Sequence, residues 1–219
     1  MGNLRSLATL VHDEIVSLFQ QFNASAIQAD ASSSESILNA IADHPNFKPI
    51  NYGSYSVVFK YKEYPYIFKC SSYLSDGWLA FAKYTLNAPS IFLPKIYDLY
   101  TTEKMYIAIT EELEPIADDF NIELKDEYVD QGIFFNACMD LSYMIQDTRW
   151  DESTASNIKE EILNSYSIDE TFIEKNIEFI SVMNKTLSEL MKQGYTDDLH
   201  YGNVMIRDKY QIVLNDPVQ

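Results

Sequence analysis

Between the end of a long helical pattern and a closing pair of short strands lies Asp198-Leu199-His200-Tyr201-Gly202-Asn203, and no other stretch constrains the chain as much. Asp198 and Asn203 stand five residues apart on one loop, and Asp216 follows thirteen residues later across a hairpin that brings it back beside them. Phosphoryl transfer needs such a set: a carboxylate that orients a nucleophilic hydroxyl and accepts its proton, and hard oxygen ligands for a Mg²⁺ that bridges nucleotide phosphates. On this reading Asp198 is the proton acceptor, and Asn203 and Asp216 are the cation ligands. Each residue taken singly also has a plainer role. Asp198 suits the cap of a turn, Gly202 and Asn203 suit positive-φ geometry, and Asp216 suits a solvated carboxylate.

The order of elements upstream gives the loop its context. Leu4, Leu7, Val11, Ile15, Leu18 and Phe22 recur at helical spacing and predict a helix over 4–22. A small polar stretch then leads to a second short helix carrying Ile37, Leu38 and Ile41, stopped near Pro45. Residues 55–62 and 64–70 are rich in Tyr, Val, Ile and Phe and predict a β-hairpin. Asp76-Gly77 opens a helix that runs to Leu86, and after breaks at Pro89 and Pro94 come strands near 95–100 and 105–110. Beyond Glu111 the pattern is helical over 133–146, 157–166 and 170–192, where Gly194 stops the last helix. Strands at 204–207 and 211–214 flank a turn at Asp208-Lys209. The expected fold class is α+β, with a helical extension at 1–47, a β-rich part at 48–113 and a helical part at 114–219.

The turn Gly53-Ser54-Tyr55 opens the first strand pair, and Lys69 ends the second strand in Tyr66-Ile67-Phe68-Lys69. Backbone N–H groups at such a turn can lie over phosphates, and an inward lysine can neutralise them. A lone glycine in a turn and a snorkelling lysine also occur with no ligand at all. With 16 Lys+Arg against 33 Asp+Glu, the net charge of −17 repels phosphate backbones and anionic lipid, so neither nucleic acid nor a membrane is an expected partner. The two cysteines, Cys70 and Cys138, lack disulfide or zinc-site spacing. No apolar run approaches the ~20 residues of a membrane span. Nine acids and one base, Lys125, fall between Glu111 and Asp130; this is a solvated face, or beside a cleft an attractor for cationic substrates.

A glycine turn before a strand pair, a strand lysine, a helix, two strands, an acidic crossover, a long helix, Asp-x-x-x-x-Asn, a hairpin and an Asp follow the order of the protein-kinase-like superfamily, which the chain resembles. Asp-Leu-His-Tyr-Gly-Asn is similar to the loop of its atypical and aminoglycoside-phosphotransferase-like branches. More closely, the chain resembles the early serine/threonine protein kinases of short-tailed T-odd coliphages (autographiviruses). That resemblance rests on the helical preface, Gly53-Ser54-Tyr55-Ser56, Ile67-Phe68-Lys69, Asp76-Gly77, His200-Tyr201-Gly202-Asn203-Val204-Met205 and Asn215-Asp216-Pro217-Val218.

The resemblance implies a bilobal fold with a small antiparallel N-lobe sheet and a helical C-lobe cut short after Asp216. It also implies use of ATP and Mg²⁺, and transfer of the γ-phosphate to host bacterial proteins, transcription machinery among them, in the host cytoplasm. Adenine would contact the Glu111 carbonyl and the Leu113 amide. His200 would donate to the transferred phosphate, or else fix the loop by bonding a backbone carbonyl. Asp76 would pair with Lys69, or else cap its helix. The departures are specific: Thr196 and Asp197 stand where typical kinases carry His and Arg, and Asp216-Pro217-Val218 replaces Asp-Phe-Gly. Control by a phosphorylated activation loop is therefore not expected. Two other readings share the composition: a small-molecule kinase of the aminoglycoside type, and a noncatalytic acidic pseudokinase or decoy. A decoy needs none of Lys69, Asp198, Asn203 and Asp216.

Overall fold

The computed structural model describes residues 4–22, 44–52, 56–103, 105–117, 124–145 and 150–219. The expected short helix over Ile37, Leu38 and Ile41 lies outside them, as does the turn Gly53-Ser54-Tyr55. The chain is α+β and divides into two compact units, one of Met1–Ala88 with Lys95–Glu112 and one of Pro89–Pro94 with Leu113–Gln219. Among the described residues no helix is long and apolar enough to cross a membrane.

The first unit is built on five antiparallel strands, β1 (Phe47–Tyr52), β2 (Ser56–Tyr61), β3 (Ile67–Ser71), β4 (Ile96–Thr101) and β5 (Tyr106–Thr110), in the order β1-β2-β3-β5-β4. Strand side chains alternate between faces. Val57, Phe59, Tyr61, Phe68, Cys70, Ile107 and Ile109 therefore share one face, and helix α1 (Leu4–Phe22) covers it with Leu7, Ala8, Val11 and Ile15. The helix that reads from sequence as a preface is in this way one layer of the sheet's core. It is pinned by Glu14, whose carboxylate accepts hydrogen bonds from the Tyr61 hydroxyl and the Asn46 amide and lies 3.7 Å from His44 Nε2. Helix α2 (Gly77–Asn87) starts at Asp76, whose Oδ1 accepts from Trp78 N at 3.0 Å.

Strand β1 is absent from the sequence reading. Pro49 has no N–H for a ladder, yet β1 is an edge strand, where proline is tolerated, and its pairing with β2 shifts register between Pro49 and Asn51.

The second unit holds helices α3 (Val129–Ile145), α4 (Glu152–Ser165), α5 (Glu170–Asn176) and α6 (Phe179–Met191), and the sheet β6 (Glu114–Pro115), β7 (Val204–Arg207) and β8 (Gln211–Leu214). Phe134, Phe135 and Phe172 gather with Phe179 in its aromatic core, and Phe92 packs edge-on against Phe179 at 6.1 Å. Residues 89–94, read from sequence only as proline breaks, are thus part of this unit. Leu214 N donates to Phe92 O at 2.9 Å, and Arg207 donates to Ile91 O and to Leu93 O.

The single helix expected over 170–192 is two. The break follows Asn176, fully buried, whose amide donates to Phe172 O and Tyr210 O while its Oδ1 accepts from Gln211 Nε2 and Ile212 N. A buried side-chain amide must satisfy all its polar atoms. Asn176 does so by turning to the β8 hairpin.

Candidate active site

In the second unit the chain turns at Gly194 (φ +95°), a left-handed conformation that suits glycine, and then runs antiparallel to residues 217–219. Thr196 and Gln219 exchange backbone hydrogen bonds of 3.1 and 3.0 Å, Asp197 bridges Val218, and Asp198 N donates to Pro217 O at 2.8 Å. Five residues on, Asn215 N donates to Asn203 O at 2.9 Å. Asp216 therefore stands between two residues tied respectively to Asn203 and Asp198, and the three side chains expected to share a site belong to one stitched loop cluster. The β7–β8 hairpin makes the return possible through positive φ at Asp208 and Lys209, 52° and 67°.

Asn203, 9% exposed, ties the loop together from within. Its Nδ2 donates to the Asp198 carbonyl at 2.7 Å and to Asp198 Oδ2 at 3.2 Å. Two acceptors fix which end of the amide is nitrogen.

Set against known protein families and curated proteins, the chain matches none.

His200 caps the short 3₁₀ turn Tyr201–Asn203, its Nδ1 accepting from Gly202 N at 3.0 Å. It thereby fixes the loop, the second of the two roles open to it from sequence, through a backbone amide rather than a carbonyl. The ring lies so close to Gly202 that a Cβ there would meet His200 Cε1 at 2.9 Å and Nδ1 at 3.0 Å, which explains the glycine. The other ring nitrogen, Nε2, lies 3.8 Å from Asp198 Oδ2 and 2.9 Å from Asn203 Nδ2.

Mg²⁺ keeps several waters and takes one or two protein oxygens plus substrate phosphates. Asn203 carries an amide oxygen and the half-buried Asp216 a carboxylate, the oxygen types such a cation takes. Among the described residues no group of three His, Cys, Asp or Glu side chains is placed to hold a metal, so a cage made wholly of such side chains is not what these residues offer.

Lys69, Asp76 and Glu111 belong to the first unit. Lys69 is the middle residue of β3, opposite Val58 on β2 and Ala108 on β5, rather than at the strand's end. Alternation places it on the face away from α1, 9% exposed, with Nζ 4.5 Å from the centroid of the Trp78 ring. Asp76 Oδ1 caps α2, the second of the two roles open to it from sequence, and Oδ2 accepts from the Tyr106 hydroxyl at 2.6 Å. The Glu111 carbonyl accepts from Thr110 Oγ1 at 3.2 Å, and its carboxylate accepts from Lys95 N at 2.6 Å. Leu113, in the second unit, is half-buried. Trp78 and Tyr106 escaped the sequence reading because an aromatic at the start of a helix or strand reads simply as core.

Proposed function

We propose that the chain is an ATP-dependent serine/threonine protein kinase of phage origin, acting on host bacterial proteins in the host cytoplasm. The observation that carries this reading is the pairing of residues 196–198 with 217–219, which gathers Asp198, Asn203 and Asp216 in one loop cluster. Asp198 orients the acceptor hydroxyl and takes its proton; the Asn203 amide holds that carboxylate in place through the 3.2 Å bond to Oδ2. His200 keeps the turn closed, so the carboxylate and the Asn203 oxygen keep their spacing. Lys69 supplies positive charge to the triphosphate. Mg²⁺, when held by Asn203 and Asp216, neutralises phosphate charge. The acid-rich 111–130 stretch and the net charge of −17 favour basic protein surfaces as substrates.

The test is to incubate the protein with γ-labelled ATP, Mg²⁺ and a bacterial lysate, then separate labelled proteins from labelled small molecules. Labelled protein bands that vanish with Asp198→Asn are expected. Label confined to small molecules would move the assignment to a small-molecule kinase, and no transfer at all would overturn it.

A further inference from the structure

A loop that carries a proton acceptor keeps its geometry only if its middle is held as well as its ends. The ends of 198–203 are tied to residues 215–217, Asp198 N to Pro217 O and Asn203 O to Asn215 N. Within the loop His200 bonds Gly202 N, and Gly202 has no side chain to offer. Tyr201 reaches α3, where its hydroxyl accepts a hydrogen bond from Asn136 Nδ2. We propose that Tyr201 is a positioning residue, a brace that seats the Asp198–Asn203 loop on α3 and so fixes where Asp198 stands toward the acceptor hydroxyl; the part about that hydroxyl rests on the kinase reading above.

The seat of the brace is part of the core. The Tyr201 ring packs against Phe135 with centroids 6.0 Å apart and planes at 58°, and Phe135, 2% exposed, packs in turn on Phe179 of α6 at 6.4 Å. Phe135 and Asn136 are consecutive on α3, one buried and one exposed, so the phenol is held twice: its ring by the core and its oxygen at the surface. A tilted ring contact tolerates sliding, whereas a hydrogen bond weakens steeply with angle, so the Asn136 bond removes the freedom that the ring contact leaves. Tyr201 opens the 3₁₀ turn that ends at Asn203, whose own N donates to His200 O at 3.0 Å and whose side-chain amide holds the Asp198 carboxylate. A shift of Tyr201 is thus passed on to Asp198 through two residues. Misplacing a reacting group by about 1 Å costs as much as roughly 10²-fold in rate. Water readily replaces a hydrogen bond lost at an exposed position such as Asn136, so its loss costs the fold little. The signature of the brace is therefore a rate defect with almost no stability defect.

The experiment compares Asn136→Ala, Tyr201→Phe, the double variant and Asn136→Asp with wild type. Without nucleotide, hydrogen exchange followed by mass spectrometry on peptides covering 199–205 reports the loop through the Gly202 and Asn203 amides. Asn136→Ala leaves the loop's own sequence untouched, so its exchange compares directly with wild type. Labelled-ATP kinetics report kcat and KM, and thermal denaturation reports stability. Exchange in Asn136→Ala is expected to be about tenfold faster. Turnover should fall about tenfold in each single variant and about tenfold, not hundredfold, in the double, because both substitutions remove one bond. KM for ATP should hold, and Tm should move by no more than about 4 °C. Asn136→Asp should recover most of the turnover, with the Tyr201 hydroxyl now donating to the carboxylate. Exchange in Asn136→Ala as slow as in wild type overturns the brace. Unchanged kcat, a loss confined to KM, a hundredfold loss in the double variant, or Asn136→Asp no faster than Asn136→Ala overturns the positioning role. Faster exchange in Asn136→Ala, in a protein whose wild type transfers no phosphate, instead overturns the kinase reading and leaves the brace standing.

Discussion

Replacing Asn203 by aspartate changes almost no volume but turns a donor into an acceptor, and the structure fixes what that costs. Nδ2 gives one hydrogen bond to a neutral carbonyl at 2.7 Å and one to a carboxylate at 3.2 Å. Loss of a neutral bond costs about 1 kcal/mol and loss of one to a charged group about 2 kcal/mol. The new carboxylate also faces the Asp198 carboxylate at the distance of the lost bond, and like charges there repel further. A loss of about 3 kcal/mol or more follows for the second unit in Asn203→Asp, equivalent to a fall in Tm on the order of 10 °C. Asn203→Ala loses the same bonds without the repulsion and should fall less. The order should reverse on adding Mg²⁺ with a nonhydrolysable ATP analogue, because a carboxylate is a stronger hard-oxygen ligand than an amide and alanine is none. Thermal denaturation in chelator, and then with Mg²⁺ and the analogue, reads both halves. Asn203→Asp melting as high as wild type in chelator would refute the donor geometry, and failure of Asn203→Asp to overtake Asn203→Ala with Mg²⁺ would remove Asn203 from the cation site.

Three further outcomes are expected. Asp198→Asn should bind the Mg²⁺ analogue as wild type does while turnover drops by roughly 10² or more, as for a positioned base; equal turnover in a labelled-ATP assay would exclude it from the mechanism. Lys69→Met should melt close to wild type, since a thioether packs well on the Trp78 ring, yet gain much less Tm from ATP with Mg²⁺; an equal gain would make Lys69 structural. Glu14 provides a pH test: burial pushes its carboxyl up, but the Tyr61 and Asn46 hydrogen bonds, with Lys62 and His44 nearby, outweigh that and hold it below the ordinary glutamate range. Its stabilising contribution is then complete above the unfolded glutamate value and lost as pH falls through the lower folded one, so the Tm gap between wild type and Glu14→Gln should shrink on acidification through that window, and a gap independent of pH would refute the assignment.

What was legible in the sequence was what local pattern dictates. The four-residue spacing of Leu7, Val11 and Ile15 is enough for α1, and the Asp208-Lys209 turn between two β-branched runs is enough for β7 and β8. The Asp198–Asn203 loop was readable because spacing alone puts both side chains on one turn, and the hairpin returns Asp216 to it. What escaped depends on partners distant in the chain. Strand β1 exists because β2 offers it an edge, and Pro49 hides it from propensity. The break after Asn176 needs the backbone of Tyr210 and Ile212, more than thirty residues away. The setting of Lys69 over Trp78 needs Tyr106 beneath the ring, a contact no periodicity encodes.

The docking of α1 on the sheet also sets the order in which the first unit can fold. Its first helix closes against a face completed by Ile107 and Ile109, and between them the chain departs to give Pro89–Pro94 to the other unit before returning at Lys95. Contacts of such sequence separation carry a large loop-closure cost before they stabilise anything, and they slow folding. On the ribosome, the helix must wait until β5 has emerged before its apolar side has its full seat. Until then Leu7, Val11 and Ile15 are open to chaperones or to other chains, and this interval is where synthesis of the protein is most exposed to misassembly.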